Sequence, residues 1–318
     1  MSRVRFNACS RVAASAAVLA ALCACSAGCA GTGLSASAGG RLVAVGAENQ
    51  YANVIAQVGG RYVDAVAIES NPNTDPHTFE ASPSVAELVS SARLVVQNGV
   101  GYDTFMERIE SASGGVGSNS SRKVIDVQKL LGLPNSTSNP HLWYKPQTMP
   151  AVASAIAADL SAIQPAHAAY FQANASSFVR ALAPWRRALA SFAHEYPNTP
   201  VASTEPVGDY MLEAASTVNL TPFSLQADIM NGVDPAPQDV TLQDSLFSDH
   251  RVKVFVYNQQ VTDSVTKSFL RAAEGAGVPV VGVYETMPTP GYDYQSWMLA
   301  EVHALRRAVV DRVSTKKL

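Results

Sequence analysis

Beyond residue 29 the sequence has no cysteine: Cys9, Cys23, Cys25 and Cys29 all lie in the first thirty residues of a 318-residue chain. The rest therefore has neither a disulfide framework nor a thiolate metal centre and must rely on its core. It also lacks a Gly-x-x-x-x-Gly-Lys-[Ser/Thr] stretch, so any nucleotide hydrolysis belongs to another chain, and it lacks a His-Glu-x-x-His helix. Positive charge is scarce. Of 23 Lys and Arg, three precede Cys25, whereas none of the 26 Asp and Glu does. The remainder carries 20 basic against 26 acidic residues, a formal charge of −6, which argues against nucleic-acid binding.

No apolar run is long enough for a mature membrane-spanning helix. The small, apolar stretch 12–24 follows Arg3, Arg5 and Arg11, the order of a secretory signal, which predicts a signal peptide over 1–24 and an exported protein. Leu22-Cys23-Ala24-Cys25-Ser26 resembles a bacterial lipobox cleaved before Cys25, with Cys29 as the competing site. An acylated cysteine would anchor the chain to the outer face of the cytoplasmic membrane, at the cell surface or in the periplasm. Residues 25–40 are almost wholly Ser, Ala, Gly and Thr, a composition that cannot pack, and read as a flexible tether.

From residue 41, the 278 remaining residues suffice for two lobes. Short β-branched runs recur at 41–46, 62–68, 93–97 and 123–127, and again at 199–203, 252–257 and 278–283, separated by helical stretches or loops. Near-continuous apolar strands alternating with helices predict an α/β fold of two lobes, each a mainly parallel sheet with flanking helices. The amino-terminal lobe would occupy 41–150 and the carboxy-terminal lobe 198–318. Between them, in 151–197, Phe171, Ala175, Phe178, Leu182, Trp185, Leu189, Phe192 and Tyr196 make one apolar helical stripe. That stripe predicts one long linker helix over 166–196, kinked by Pro184; two packed helices meeting at Pro184 are the alternative.

What is present is a pair of histidines set immediately after proline, in Asn71-Pro72-Asn73-Thr74-Asp75-Pro76-His77 and in Asn139-Pro140-His141. Proline fixes its own φ and holds the preceding residue extended, so each imidazole sits on a stiff loop suited to a metal ligand. Two histidines do not complete a site, and in α/β sheets ligands gather beyond the carboxyl ends of the strands. Two carboxylates stand there, Glu205 closing 201–205 and Glu285 closing 281–285, and with His77 and His141 they compose a His2Glu2 site across the interlobe cleft. His167, His194, His250 and His303 lack such a setting and read as surface or helix-face residues. Asp75 and Glu80 flank His77 and are candidates to orient its ring.

These segments, together with Ala47–Gly60, Asp75–Ser84, Gln97–Asp103, Asn139–Tyr144 and Asp234–Asp239, resemble the zinc and manganese solute-binding proteins of metal ABC importers, and the resemblance extends from Arg41 to the end. It implies two α/β lobes joined by a rigid helix, a divalent ion (Zn²⁺ or Mn²⁺) held between them as cargo, no catalysis, a monomer, and a partner permease with a cytoplasmic ATPase. Residue by residue it implies that His77 and His141 are the amino-lobe ligands and that Glu205 stands where many zinc-binding members have histidine and manganese-binding ones glutamate. Glu285 falls where an aspartate is more usual, with Asp293 the fallback donor. The His- and Asp-rich loop of some zinc-binding members is replaced by Ser- and Gly-rich stretches at 111–121 and 135–139. Carboxylate donors lean toward Mn²⁺, whereas the Irving–Williams order favours Zn²⁺. The alternatives are capture of a metal chelate or adhesion on the same scaffold, and, more remotely, a secreted zinc hydrolase.

Overall fold

The computed structural model describes residues 40–73, 75–112 and 122–318. The expected leader, both candidate lipidation cysteines, nearly all of the tether and most of the 111–121 segment lie outside the described residues. Residues 41–318 form one compact unit.

The amino-terminal part runs β1 (Leu42–Glu48), α1 (Asn49–Gly59), β2 (Val63–Glu69), α2 (Pro83–Ser91), β3 (Leu94–Gln97), α3 (Thr104–Ala112), β4 (Lys123–Asp126) and α4 (Val127–Leu130). Its strands pair in the order β2-β1-β3-β4, all parallel, with Glu48 in register with Glu69 and Gly46 with Val96. Leu42, Ala44, Leu94 and Val96 face one core and Val45, Ala47 and Val95 another, so both sheet faces are covered and the strands read as unbroken apolar runs. Gly46 is required by close approach: a Cβ there would lie 2.4 Å from the backbone nitrogen of Ala52 in α1.

Three helices connect the lobes: α5 (Thr148–Ile163), α6 (Ala168–Ala181) and α7 (Ala183–Glu195). The expected linker helix over 166–196 is divided at Leu182, between α6 and α7. Pro184, in the first turn of α7, has no N–H to continue the ladder, and its ring opposes the carbonyl four residues back. The apolar stripe nevertheless stays continuous: Phe171, Phe178, Leu182, Trp185, Leu189 and Phe192 are buried in the same core cluster as Val152 and Ile156 of α5. Burying each such large side chain stabilises the unit by roughly 1.5–3 kcal/mol.

The carboxy-terminal part follows as β5 (Pro200–Ser203), α8 (Asp209–Ala214), β6 (Val218–Asn219), α9 (Phe223–Met230), α10 (Pro237–Ser248), β7 (Val254–Asn258), α11 (Ser264–Gly275), β8 (Val280–Val283) and α12 (Tyr294–Val310). Its strand order is β6-β5-β7-β8, again parallel throughout. Seven of these eight strands coincide with the β-branched runs of the sequence; β6, two residues long, is the addition. Asp263 and Asp293 begin α11 and α12 with capping boxes. Among the described residues no helix is long and apolar enough to cross a membrane.

Candidate metal centre

Both sheets point their carboxyl ends at one interlobe region. His77 lies in a 3-10 turn (Pro76–Thr78) after β2, where Asp75 caps the turn by accepting from the His77 backbone N–H at 2.8 Å. Asp75 thus fixes the backbone that carries the ring, rather than the ring itself, and Glu80 is exposed. His141 precedes a second 3-10 turn (Leu142–Tyr144) and is fully buried. Glu285 follows β8, where its backbone N–H donates to Gln260 Oε1 at 2.7 Å and its carbonyl accepts from Gln50 Nε2 at 3.1 Å.

The side chains converge. Glu285 Oε2 is 3.0 Å from His77 Nε2 and 3.4 Å from His141 Nε2, and it accepts from the Tyr102 hydroxyl at 2.8 Å. One donor atom from each of His77, His141 and Glu285 lies within 4.8 Å of the others, and among the described residues this is the group of His, Cys, Asp and Glu side chains arranged to hold a metal. Donors bonded to one ion at about 2.1 Å in a tetrahedron stand ~3.4 Å apart, so these separations suit a transition metal with little rearrangement.

Glu205 sits beside the trio. Its Oε1 accepts from Asn258 Nδ2 at 3.1 Å, the same amide that donates to Glu285 Oε1 at 2.7 Å, while its buried Oε2 has no hydrogen-bond partner. Asn258 is oriented because its Oδ1 accepts from the Gln260 N–H at 3.0 Å, leaving its NH₂ to bridge the two carboxylates. Asp293 is elsewhere: it is exposed and caps α12, so the fallback donor does not reach the centre.

Asn139 settles the state of His141. Its Oδ1 accepts from the His141 backbone N–H at 3.0 Å and lies 2.8 Å from Nδ1, so Nδ1 carries the proton and Nε2 presents a lone pair. That buried Nε2 has no hydrogen-bond partner and faces a carboxylate oxygen, an arrangement that a cation between them would resolve.

The electrostatics separate the four groups. Burial pushes the Glu285 carboxyl up, but the charge of the facing His77 outweighs it and holds Glu285 below the usual carboxylate range. Burial opposes a charge on His77, yet Glu285 and Asp75 raise its pKa above the ordinary imidazole value. Burial lowers that of His141, which stays neutral. Glu205 is pushed up by burial and by the Glu285 charge. The centre therefore combines one anionic carboxylate, one neutral lone-pair donor, and two groups that exchange protons for a cation.

Aromatic rings wall the centre. Tyr102 meets His77 and His141 edge-on at ring-centroid distances of 5.2 and 5.8 Å, and Trp143 stands 5.4 Å from His141. Access comes past His77, whose side chain retains 22% exposure, from a cleft of about 660 Å³ lined by Asp75 and Thr78 on one side and Met230, Gly232 and Asp263 on the other. Of the remaining histidines, His194, His250 and His303 are exposed, whereas half-buried His167 stacks on Tyr62 with centroids 3.7 Å apart. Sequence reasoning did not single out Tyr102, Asn139 or Asn258. The available signals were an amide two residues before His141 and another at the end of an apolar strand.

Two parallel-sheet lobes with a convergent His and carboxylate centre between them define a metal-binding solute-binding protein. A profile for the family described as zinc-uptake complex component A, periplasmic, matches residues 45–308. The chain belongs to this family, whose members are extracytoplasmic substrate-binding proteins of ABC importers and not enzymes, so the hydrolase alternative falls away. No curated protein sequence matches.

Solved structures share the fold. A ZnuA crystal structure aligns with a TM-score of 0.69 at 19% identity, covering 85% of this chain and 100% of its own. The periplasmic zinc-binding protein TroA from Treponema pallidum aligns at 0.69 and 16% identity, covering 86% and 100%. FpvC from Pseudomonas aeruginosa, in complex with Ni²⁺, aligns at 0.67 and 20% identity, covering 87% and 99%.

Proposed function

We propose that this chain captures a divalent transition-metal ion, zinc or manganese, with His77, His141, Glu205 and Glu285 as its ligands, and delivers it to an ABC permease whose cytoplasmic ATPase supplies the energy. The observation that carries this reading is the buried lone pair on His141 Nε2, unpaired and 3.4 Å from the Glu285 carboxylate. An ion between them pairs with both. Glu205 completes the set by turning its free Oε2 inward, away from the Asn258 bridge. Four converging side chains enclose a naked ion, which favours ion over chelate.

His77, on the exposed rim, is the first ligand an incoming ion meets and the last it leaves. The lobes extend over 41–150 and 198–318, with 151–197 connecting them. A signal peptide over 1–24 and acylation of Cys25 place the protein, as a monomer, on the outer face of the cytoplasmic membrane. The donors divide the ions: two imidazoles suit Zn²⁺, and the carboxylates keep Mn²⁺ within reach.

Thermal unfolding of the chelator-stripped chain, alone and with Zn²⁺ or Mn²⁺, tests this function. An ion that binds only the folded state raises Tm, by the equivalent of about 2.7 kcal/mol at a hundredfold excess over Kd. His141→Ala abolishes the rise if the reading is correct. An unchanged Tm with both ions overturns it.

A further inference from the structure

Each carboxylate of the centre has two oxygens, and one oxygen of each is already engaged. Glu205 Oε1 and Glu285 Oε1 both accept from the Asn258 side-chain amide, at 3.1 and 2.7 Å. An amide nitrogen carries two protons, so this single Asn occupies both carboxylates at once. The opposite oxygens face the other way: Glu285 Oε2 is the one beside the Nε2 atoms of His77 and His141, and Glu205 Oε2 is buried without a hydrogen-bond partner.

Asn258 is held in this pose. It closes β7 and is fully buried, its backbone N–H donating to Thr204 Oγ1 and its Oδ1 accepting from the Gln260 N–H, each at 3.0 Å. Gln260 Oε1 in turn accepts from the backbone N–H groups of Glu285 and Thr286, at 2.7 and 2.9 Å. With Oδ1 engaged, the NH₂ is turned toward the carboxylates, and flipping the amide would set an oxygen against both of them.

We propose that Asn258 sets the metal preference of the centre, holding each carboxylate to one metal-facing oxygen so that the site offers four donors and selects Zn²⁺ over Mn²⁺; this rests on the function proposed above. Two imidazole nitrogens and two carboxylate oxygens satisfy Zn²⁺ in a tetrahedron. Mn²⁺ takes an oxygen-rich octahedron, and from these four side chains it would need both oxygens of each carboxylate. Water does not readily make up the number, because His141, Glu205 and Glu285 are buried and Tyr102 and Trp143 stand against the imidazoles. Asn258 touches no ion; it is a positioning residue that acts through the two carboxylates. The Tyr102 hydroxyl also bonds Glu285, but at Oε2, the metal-facing oxygen, so it leaves the number of donors unchanged.

The test compares Zn²⁺ and Mn²⁺ affinities, by competition titration, in the chelator-stripped full chain and in its Asn258→Ala and Tyr102→Phe variants. The Irving–Williams order favours zinc at these donors in any case, so the readout is the change in the Zn²⁺/Mn²⁺ ratio rather than its starting value. Asn258→Ala frees one oxygen on each carboxylate and should lower the ratio by at least about tenfold, the scale on which an outer partner acts. Tyr102→Phe should weaken both ions alike and keep the ratio. Co²⁺ gives an independent reading on the unaltered chain, since it absorbs visible light strongly in a tetrahedron and weakly with six ligands: the parent should show the strong band and Asn258→Ala should lose most of it. A weak six-coordinate spectrum in the parent, or a ratio and spectrum unchanged by Asn258→Ala, overturns the proposal and leaves metal capture standing. A parent that binds no ion overturns the function itself, and this selectivity with it.

Discussion

The two lobes use one strand order twice, β2-β1-β3-β4 and β6-β5-β7-β8, yet finish their strands with different chemistry. In the carboxy-terminal lobe the ends are cross-linked by amides and hydroxyls: Asn258 N–H donates to Thr204 Oγ1, Gln260 N–H to Asn258 Oδ1, and Glu285 and Thr286 N–H to Gln260 Oε1. In the amino-terminal lobe the ends carry Glu48, Glu69 and Gln97, each with at least one buried oxygen lacking a partner. The difference assigns separate tasks. One lobe holds a carboxylate, Glu285, rigidly in place; the other brings imidazoles on proline-stiffened loops, behind which stand Glu48 and Glu69, carboxyls that burial pushes up toward their neutral form.

The largest expected effect comes from breaking the amino-lobe contribution. His141→Ala removes a buried lone pair that water cannot readily replace, so metal affinity should fall beyond the ~100-fold that loss of an outer partner costs. His77→Ala, at the exposed rim, should cost less, because water can enter its place; isothermal titration of both variants with the same ion reads the ranking. Equal losses would contradict the rim-and-floor arrangement.

Next comes the fixed carboxylate. Glu285→Gln keeps the shape of the side chain but removes its charge and one of its two acceptor oxygens, so affinity should drop about 100-fold while the fold, followed by circular dichroism, persists. Asn258→Ala, which frees Glu205 and Glu285 from their shared amide, should cost about tenfold in affinity, and Asn139→Ala a similar amount by releasing the His141 tautomer. Competition with a fluorescent chelator reports both. If either variant bound metal as tightly as the parent, the bridging amide or the tautomer lock would have no part in the centre.

Much of this division is legible in the sequence, and the exceptions have physical reasons. β-branched runs report buried parallel strands well, but Val218–Asn219 is too short to carry a pattern. The stripe from Phe171 to Phe192 reports a shared core face and is indifferent to a break in the backbone, so it does not reveal that the connector is divided at Leu182; Pro184 does. His77, His141 and Glu285 can be found from loop stiffness and strand ends. Tyr102 and Asn258 reach Glu285 across 183 and 27 residues of sequence, and no local spacing encodes such contacts.

The smallest effect concerns the seam between the lobes. Glu301 in α12 is buried between the Trp297 indole N–H, 3.0 Å away, and the Tyr144 hydroxyl, 3.3 Å away. Burial pushes its carboxyl up to about 8. The unfolded chain has an ordinary carboxyl near ~4.3, so between that value and about 8 the folded state holds a proton that the unfolded state has released. Folding takes up a proton in this window, and stability must fall as pH rises through it. Glu301→Gln should therefore flatten the decline of Tm between pH 5 and 8 and change little at pH 4; an unaltered slope would remove Glu301 from the account.

On the proposed reading, one ion joins the two lobes through His141 and Glu285. Isothermal titration of the chelator-stripped full chain with Zn²⁺ and with Mn²⁺, beside His141→Ala and Glu285→Gln, tests it most directly. One tightly bound ion per chain is expected in the parent, with a loss of about 100-fold or more in each variant. Absence of binding in the parent, or parental affinity in both variants, would contradict it.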